Sequence, residues 1–320
     1  MTRWGRVLRV GLCVSALGVV ACAGSGPRQA QTARVDVPAT ESGQEDADAP
    51  ALVAEGDRLM RVDVVAAIES YEAARKLTPH DHALLYKLAL AYEKREQWEP
   101  MVGMLARATQ LAPDFANYHF RHGYALYRDE QYGEARAPLQ ACLEADPSFA
   151  ACEYYQGEVC LQLGDDQCAL ERFTAAIQLD PTRGEYYPPL AELYQVHKLY
   201  AEAEQVLLAA RRFLPPVKKN RESLYAVSVQ LYGVAQARGD AEGMLAAAEQ
   251  ALEYGGDSHP EMGFVLGATY AMAKPPKKAK AKRLLESFLH HACRGRQAVR
   301  FREQCATAQG LLQVLGQPVP

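Results

Sequence analysis

Apolar and small residues repeat along the chain at an interval of 34 residues. Prolines mark the interval at Pro79, Pro113, Pro147, Pro181 and Pro215. Twelve residues earlier stand Ala67, Met101, Ala135, Ala169 and Ala203. Eight earlier stand Tyr71, Leu105, Leu139, Phe173 and Leu207, and five earlier stand Ala74, Ala108, Cys142, Ala176 and Ala210. These offsets of four and three place the positions on one face of a helix. The proline ends that helix because it has no N–H and restricts the residue before it.

A second set of recurring residues predicts another helix at the front of each unit. Its members are Leu88 and Ala89 with Tyr92, Gly123 with Leu126, Gly157 with Cys160, and Leu190 and Ala191 with Tyr194. Each unit therefore contains two helices, and the small residues let neighbouring helices approach closely. A fixed period of this length indicates a stack of repeats in which each unit contacts its neighbours.

At these residues the chain resembles the tetratricopeptide repeat (TPR) family, closely over residues 48–217 and loosely over 218–316. The resemblance implies an all-α fold: a right-handed α-solenoid of helical hairpins with a concave face and a C-terminal capping helix. We expect about six TPR repeats over residues 51–258. A degenerate seventh repeat and a basic C-terminal cap are expected over residues 259–320, with the last helix over 298–315.

The first 22 residues are typical of an export signal. Arg3, Arg6 and Arg9 precede an apolar run, residues 10–21, that is too short to span a bilayer as a helix. The run ends in Val19-Val20-Ala21-Cys22, which resembles the lipobox of bacterial lipoproteins. This resemblance implies that residues 1–21 are a lipoprotein signal peptide and that lipid is attached at Cys22. Because no aspartate follows the cysteine, it also implies anchoring in the outer membrane, facing the periplasm. The alternatives are an inner-membrane anchor, a short anchor helix, and an ordinary cleaved signal that yields a secreted protein.

Residues 22–50 are rich in Ala, Gly, Ser, Pro, Gln, Asp and Glu and lack a periodic apolar pattern. This composition predicts a lipidated, disordered tether. Such a tether would let the folded part of the chain lie away from the membrane surface.

The overall composition excludes one class of partner. The 320 residues are 49% hydrophobic and 23% charged, as in ordinary soluble folded proteins, and carry a formal net charge of -4. Removal of the leader arginines makes the remainder more acidic, and an acidic surface is a poor electrostatic match for nucleic acid. We therefore expect other envelope proteins as partners, bound through peptide segments, no nucleic acid, and membrane contact only through the lipid at Cys22.

Six of the eight cysteines remain after the leader cysteine, Cys13, and the lipidated Cys22 are set aside. An even number of cysteines in an oxidising compartment indicates disulfides. Residues equidistant from the turn of a helical hairpin face each other, which predicts three pairs: Cys142 with Cys152, Cys160 with Cys168, and Cys293 with Cys305. Buried free thiols that pack as small apolar residues are the alternative.

The front helices supply the candidates for a binding groove, because in the TPR family they line the concave face. The candidates are Tyr86, Leu90, Glu93, Asn117, Phe120, Tyr124, Tyr127, Arg128, Tyr154, Glu158 and Leu161. Tyr86, Phe120 and Tyr154 are each 34 residues apart and should align across three repeats. Such a row of rings suits an extended or helical apolar peptide. Stacking within the solenoid is the alternative role for these rings.

Basic residues cluster near the C terminus at Lys277, Lys278, Lys280, Lys282 and Arg283. They could dock an acidic partner, anionic lipid headgroups or a cell-wall polymer. A solvated outer face of the cap is the alternative.

Catalytic signatures are not evident in the sequence. His119 and His122 are three residues apart but have no third ligand nearby in sequence, residues 255–259 follow no predicted strand, and no phosphate-binding glycine loop is present. We therefore expect no enzyme activity, cofactor or metal, and predict a protein-interaction scaffold or adaptor that supports assembly of envelope complexes. The alternatives are a pilotin-like factor for secretin or type IV pilus assembly, an adaptor for cell-wall enzymes, a hydrolytic or polymer-binding module in residues 257–320, and a passive spacer.

Overall fold

The computed structural model describes residues 42–273, 276–295 and 297–316. These residues form sixteen α-helices and three short 3-10 helices, without a strand among them. The α-helices are α1 (Ser42–Leu59), α2 (Val64–Leu77), α3 (His82–Lys94), α4 (Trp98–Leu111), α5 (Ala116–Arg128), α6 (Tyr132–Ala145), α7 (Ala150–Leu163), α8 (Asp166–Leu179), α9 (Tyr187–Val196), α10 (Tyr200–Phe213), α11 (Arg221–Arg238), α12 (Ala241–Gly255), α13 (Glu261–Met272), α14 (Lys278–Ala292), α15 (Gln297–Arg300) and α16 (Arg302–Gly316).

Successive helices pair into hairpins, and each hairpin packs on the next. Helices α3 to α14 form six such pairs, and the second helix of each pair also contacts the first helix of the following pair. We call the first helix of a hairpin its front helix and the second its back helix. Helices α14 and α13 are in turn covered by α16.

Close helix approach within the hairpins explains the recurring small residues. A Cβ atom added to Gly123 would lie 2.4 Å from the side chain of Leu139, and one added to Gly157 would lie 2.7 Å from the ring of Phe173. The same arrangement recurs in the last hairpin, where Gly267 faces Leu285 at 2.8 Å. Leu139, Phe173 and Leu285 are all fully buried. One small front-helix residue and one large back-helix residue therefore build each of these layers of the core.

The turns within the hairpins share one backbone conformation. Gly164 has a left-handed φ of 77°. The equivalent positions in three other repeats hold Glu96, Glu130 and Lys198, with φ of 54°, 62° and 60°. All four residues are spaced by the 34-residue period, so the repeat extends to the turn geometry even where glycine is absent. Glycine adopts this conformation at little cost, whereas other residues adopt it under strain.

The structure brings the cysteines together in the three predicted pairs. Cys142 and Cys152 join α6 to α7, with their Cα atoms 6.4 Å apart. Cys160 and Cys168 join α7 to α8, and Cys293 and Cys305 join the end of α14 to α16, each with Cα atoms 5.8 Å apart. The first two pairs thus close turns between successive helices, and the third closes the connection from α14 to α16 that contains α15.

Two boundaries differ from the sequence-based expectations. Helix α1 begins at Ser42, inside the segment 22–50 that was expected to be disordered. Alanines at the end of that segment favour a helix, and Ala49 is buried, which composition alone did not indicate. The cap was expected to be a single helix but is interrupted at Phe301, whose ring packs in the core 5.8 Å from that of Phe288.

The signal peptide (1–21), Cys22 and tether residues 22–41 lie outside the described part of the chain. Among the residues that are described, no helix combines the length and apolar character needed to cross a membrane.

Candidate functional site

A cleft of about 250 Å³ opens between the front helices of three successive repeats and the short turn Gly184–Tyr186. We call it the aromatic cleft. Its lining residues are Glu93, Phe120, Arg121, Tyr124, Ala151, Tyr154, Tyr155, Arg183, Glu185 and Tyr186. Four of the predicted groove residues are among them: Glu93, Phe120, Tyr124 and Tyr154.

Three rings form one wall of the cleft. Phe120 and Tyr124 are one helical turn apart on α5, with ring centroids 6.2 Å from each other. Tyr155 of α7 packs against both, 5.8 Å from Phe120 and 5.0 Å from Tyr124. These distances are typical of offset and edge-to-face aromatic pairs, which hold each other in fixed orientations. The three rings therefore form one continuous aromatic wall.

Tyr154 and Tyr186 form the other wall. Their rings stack at 4.9 Å, and Tyr154 also contacts Tyr155 at 5.1 Å. Behind them, the hydroxyl of Tyr127 donates a hydrogen bond of 2.8 Å to Glu158. Burial and the nearby Glu158 carboxylate raise the pKa of both Tyr127 and Tyr154 well above the ordinary value. These hydroxyls therefore remain protonated and can donate hydrogen bonds at neutral pH.

Charged residues stand at both ends of the aromatic cleft. At one end Arg121 donates to both carboxylate oxygens of Glu93, at 2.8 and 2.9 Å, and its guanidinium lies 5.7 Å from the ring of Phe120. The Nε of Arg121 is buried and has no hydrogen-bond partner among the described residues. At the other end Arg183 lies 3.4 Å from Glu185 and is largely exposed. The cleft thus offers an apolar centre between two groups of polar contacts.

Tyr86 and Asn117, also predicted for the groove, belong to a separate aromatic cluster. Tyr86 stacks on Tyr118 at 4.7 Å and accepts a hydrogen bond of 2.8 Å from Asn117. Tyr118 stacks in turn on Phe115, at 5.0 Å. These residues do not line the aromatic cleft.

The remaining predicted groove residues do not line the cleft. The guanidinium of Arg128 lies 4.2 Å above the ring of Trp98 and donates a 2.7 Å hydrogen bond to the hydroxyl of Tyr124, so it fixes Tyr124 from outside. Leu161 packs, partly buried, against the core formed by α7, α8 and α9. Leu90 is partly buried on α3.

The rings of Tyr86, Phe120 and Tyr154 were expected to align with one another. In the structure each packs on rings of the following repeat: Tyr86 on Tyr118, Phe120 on Phe149 and Tyr155, and Tyr154 on Tyr186.

Sequence reasoning missed several residues of the cleft, including Tyr155, Tyr186 and Arg121. One signal was available for Tyr186. It follows Tyr154 by 32 residues, as Tyr118 follows Tyr86. The equivalent partner of Phe120 is Cys152, which is paired with Cys142, so Phe120 packs on other rings. Arg121 contacts Glu93 of the preceding repeat, and the spacing of these two residues does not match the 34-residue period, so the sequence pattern did not indicate the contact.

The two histidines on α5 do not form a ligand set. His119 Nε2 lies 2.7 Å from the carbonyl oxygen of Pro113. Burial, with a smaller effect of His119, lowers the pKa of His122 to about 4, so its ring is neutral at physiological pH. No group of three or more His, Cys, Asp or Glu side chains suited to a metal ion occurs in the described ranges.

The basic-cap residues lie on or just before α14. Lys277 and Lys280 both lie near the ring of Tyr270, with their ammonium groups 5.0 and 5.3 Å from its centroid. Lys280 and Arg283 line a second pocket. Lys278 and Lys282 do not line it.

Comparison with known proteins identifies the fold. No protein-family model matches the chain. Small glutamine-rich tetratricopeptide repeat-containing protein 2 of Mycosarcoma maydis is 33% identical over 103 residues, a match that covers 32% of this chain and only 29% of that protein.

Three solved structures share the architecture. The C-terminal part of a TPR repeat-containing protein from Cytophaga hutchinsonii has a TM-score of 0.59 at 14% identity and covers 78% of this chain and 98% of its own. Pseudomonas aeruginosa PilF has a TM-score of 0.52 at 18% identity, covering 66% and 93%. PilW, a type IV pilus biogenesis factor, has a TM-score of 0.52 at 18% identity, covering 64% and 92%. The predicted all-α solenoid of TPR type is therefore confirmed.

Proposed function

We propose that this chain is a non-enzymatic scaffold or adaptor that binds a peptide segment of a partner protein in the aromatic cleft. The convergence of Phe120, Tyr124, Tyr154, Tyr155 and Tyr186 around one open volume carries the proposal. Aromatic side chains supply large contact areas at little entropic cost, and they dominate many protein interfaces. Here the rings also fix one another, so that little further ordering is needed on binding.

The size and chemistry of the cleft define the kind of peptide. Its volume of about 250 Å³ is below the roughly 300–1,000 Å³ of pockets that enclose a drug-sized ligand. It therefore fits one or two apolar side chains of an extended or helical segment. The exposed Arg183 and Glu185 and the Glu93–Arg121 pair can contact polar groups on either side of those side chains. The expected ligand is an apolar anchor within a polar segment.

We propose further that the chain is anchored by lipid at Cys22 in the outer membrane and faces the periplasm. The lipobox-like residues Val19 to Cys22 support this location. The three cysteine pairs are compatible with it, because disulfides persist in the periplasm. Partners are then other envelope proteins. A pilotin-like role in secretin or type IV pilus assembly is a narrower form of this proposal, and an adaptor for cell-wall enzymes is another.

Filling the cleft tests the proposal without removing any packed ring. Ala151 lines the cleft as the second residue of α7, so Ala151→Phe should occupy the ligand volume. Ala201 is the second residue of α10 and is exposed, which makes Ala201→Phe a matched control. In a crosslinking pull-down from intact cells, the wild type and Ala201→Phe should capture the same partner, and Ala151→Phe should lose it. Equal capture by all three proteins would place the binding site elsewhere.

A further inference from the structure

A second pocket lies at the other end of the described chain, between the back helices α12 and α14 and the front helix α13. We call it the C-terminal pocket, and its volume is about 380 Å³. Its lining residues are Glu249, Leu252, Leu266, Tyr270, Ala279, Lys280, Arg283 and Leu284. In contrast to the aromatic cleft, its apolar part is mainly aliphatic, and cations stand on one wall.

These cations have no anionic partner within the described residues. Lys280 and Arg283 form no ion pair there, whereas Arg121 in the aromatic cleft is paired with Glu93. Tyr270 positions Lys280 and its neighbour Lys277, because the ammonium groups of both lie over its ring and the backbone N–H of Lys277 donates to its carbonyl oxygen at 3.0 Å. The Tyr270 hydroxyl donates to Glu249 on the facing wall. The rim therefore carries more positive than negative charge.

Helix geometry divides the basic-cap residues between two flanks of α14. Residues on a helix are rotated by about 100° per position, so Lys280 and Arg283, three apart, share a flank. Lys278 and Lys282, four apart, share a different flank, away from the pocket. A flat anionic membrane would not contact both flanks equally. Of these four cations, only Lys280 and Arg283 therefore lie where they can pair with a ligand in the pocket.

We propose that the C-terminal pocket binds an acidic peptide segment of a second partner protein. An aliphatic side chain of the segment lies among Leu252, Leu266 and Leu284, and carboxylates beside it pair with Lys280 and Arg283. Charge complementarity favours this class of ligand, because two cations without an ion-pair partner in the described part of the chain flank an apolar depression. The pocket and the aromatic cleft involve different helices, so the solenoid can hold two segments at once and thereby link two proteins. This inference does not depend on the aromatic cleft.

Binding of labelled peptides to the purified full-length protein tests the inference by fluorescence anisotropy. The probes are peptides with a central leucine, isoleucine or phenylalanine flanked on both sides by glutamates, and counterparts flanked by lysines. We expect the acidic probes to bind and the basic probes not to bind. Added salt should weaken the affinity, because exposed ion pairs are screened.

Two double variants with the same change in net charge locate the site. Lys280→Glu with Arg283→Glu should weaken binding of the acidic probes roughly tenfold, because both ionic contacts become repulsive. Lys278→Glu with Lys282→Glu should change the affinity less than about twofold, because only the distant flank is altered. Ala151→Phe should leave binding unchanged. The reversed side chains at the pocket are largely exposed, and circular dichroism checks that each variant remains helical.

Three results would overturn the inference. An equal loss of affinity in both double variants would show that the acidic probes are attracted by the net charge of the protein and do not bind in the pocket. Binding of none of the acidic probes would exclude an acidic peptide of this kind. Binding of phosphatidylglycerol vesicles that depends on Lys280 and Arg283, with no binding of the acidic probes, would identify lipid headgroups as the ligand.

Discussion

The central repeats and the C-terminal hairpin share their core packing but differ in surface chemistry. In both regions a glycine of the front helix faces a buried leucine of the back helix, as in Gly123 with Leu139 and Gly267 with Leu285. In the central repeats the front helices carry converging rings and a paired arginine. In the last hairpin, an aliphatic pocket replaces them, beside cations that have no ion-pair partner among the described residues. The repeat pattern therefore specifies the stacking of hairpins and leaves each repeat free to present a different binding surface.

Truncating the bulky core residue in either region tests whether the packing is shared. Leu139→Ala and Leu285→Ala should each lower the free energy of unfolding by about 2–5 kcal/mol, because both side chains are fully buried and leave a cavity. Urea unfolding followed by circular dichroism measures the loss. Leu208→Ala on the exposed side of α10 is the control and should have little effect. A near-neutral Leu285→Ala would show that the last hairpin does not use the same packing.

Removing cysteine pairs compares how much disulfides stabilise the two regions. Two pairs lie in the central repeats and one joins α14 to the cap. If the disulfides form, Cys160→Ala with Cys168→Ala, or Cys293→Ala with Cys305→Ala, should lower the free energy of unfolding by about 2–3 kcal/mol, as expected for short closed loops. Mass mapping without reductant should recover the three pairs in the wild type. Six free thiols there would reject the bridges.

Alkaline pH should destabilise the aromatic cleft through its buried tyrosines. Burial, the largest cause, raises the pKa of Tyr186 from 10.0 to about 12. Because the pKa is higher in the folded state, the unfolded chain loses this phenolic proton at a lower pH than the folded chain does. The contribution of the protonated Tyr186 to the free energy of unfolding is therefore complete below pH 10.0 and is lost as the pH rises towards about 12. Near pH 11 the loss from this residue is roughly 1 kcal/mol.

Urea unfolding over this pH range measures the effect, and Tyr186→Phe should reduce it because no proton is then lost. Tyr132→Phe, at a partly buried turn position, is the control. A wild-type stability that stays constant across the range would contradict the account of the buried hydroxyl.

Substitutions in the hairpin turns should have the smallest effect on the free energy of unfolding. The sign of the effect should differ between repeats whose turn residue is glycine and repeats in which it is not. Glu130→Gly should raise the free energy of unfolding by about 0.5–1 kcal/mol, because glycine accepts the left-handed φ of 62° without strain. Gly164→Ala should lower it by about 1 kcal/mol at the equivalent turn. Unfolding in urea measures both, and opposite signs are required. A stabilising Gly164→Ala would show that the turn conformation is not retained in solution.

The 34-residue period explains why the sequence predicted the fold. Five repeats place a recurring series on one helical face, which is small–bulky–small in all of them except the one with Met101. Five prolines end the back helices of these repeats, so both helix positions and packing partners follow from local pattern. The cysteine pairs followed from the same hairpin symmetry. The composition of residues 22–50 did not indicate the helix propensity of their last residues or the burial of Ala49. The start of α1 at Ser42 was therefore not predicted.

The binding surfaces were less predictable because they depend on contacts between repeats. Phe120, Tyr124 and Tyr154 were found from their front-helix positions, but Tyr155 and Tyr186 join them only through ring packing across repeats. The C-terminal pocket combines residues of three helices after the period has been interrupted. Lys280 and Arg283 were among the cap candidates, yet which flank of α14 faces the pocket depends on how α14 packs against α12 and α13.

Site-specific photocrosslinking in intact cells tests the central claim most directly. Tyr124 lies in the aromatic cleft and Tyr200 begins the back helix α10, so each can be replaced by a photoreactive phenylalanine analogue. The account predicts a discrete crosslinked partner from position 124 that disappears when Ala151→Phe fills the cleft, and no such product from position 200. A crosslink from position 124 that persists in Ala151→Phe, or a product from position 200 alone, would contradict the assignment of the aromatic cleft as the binding site.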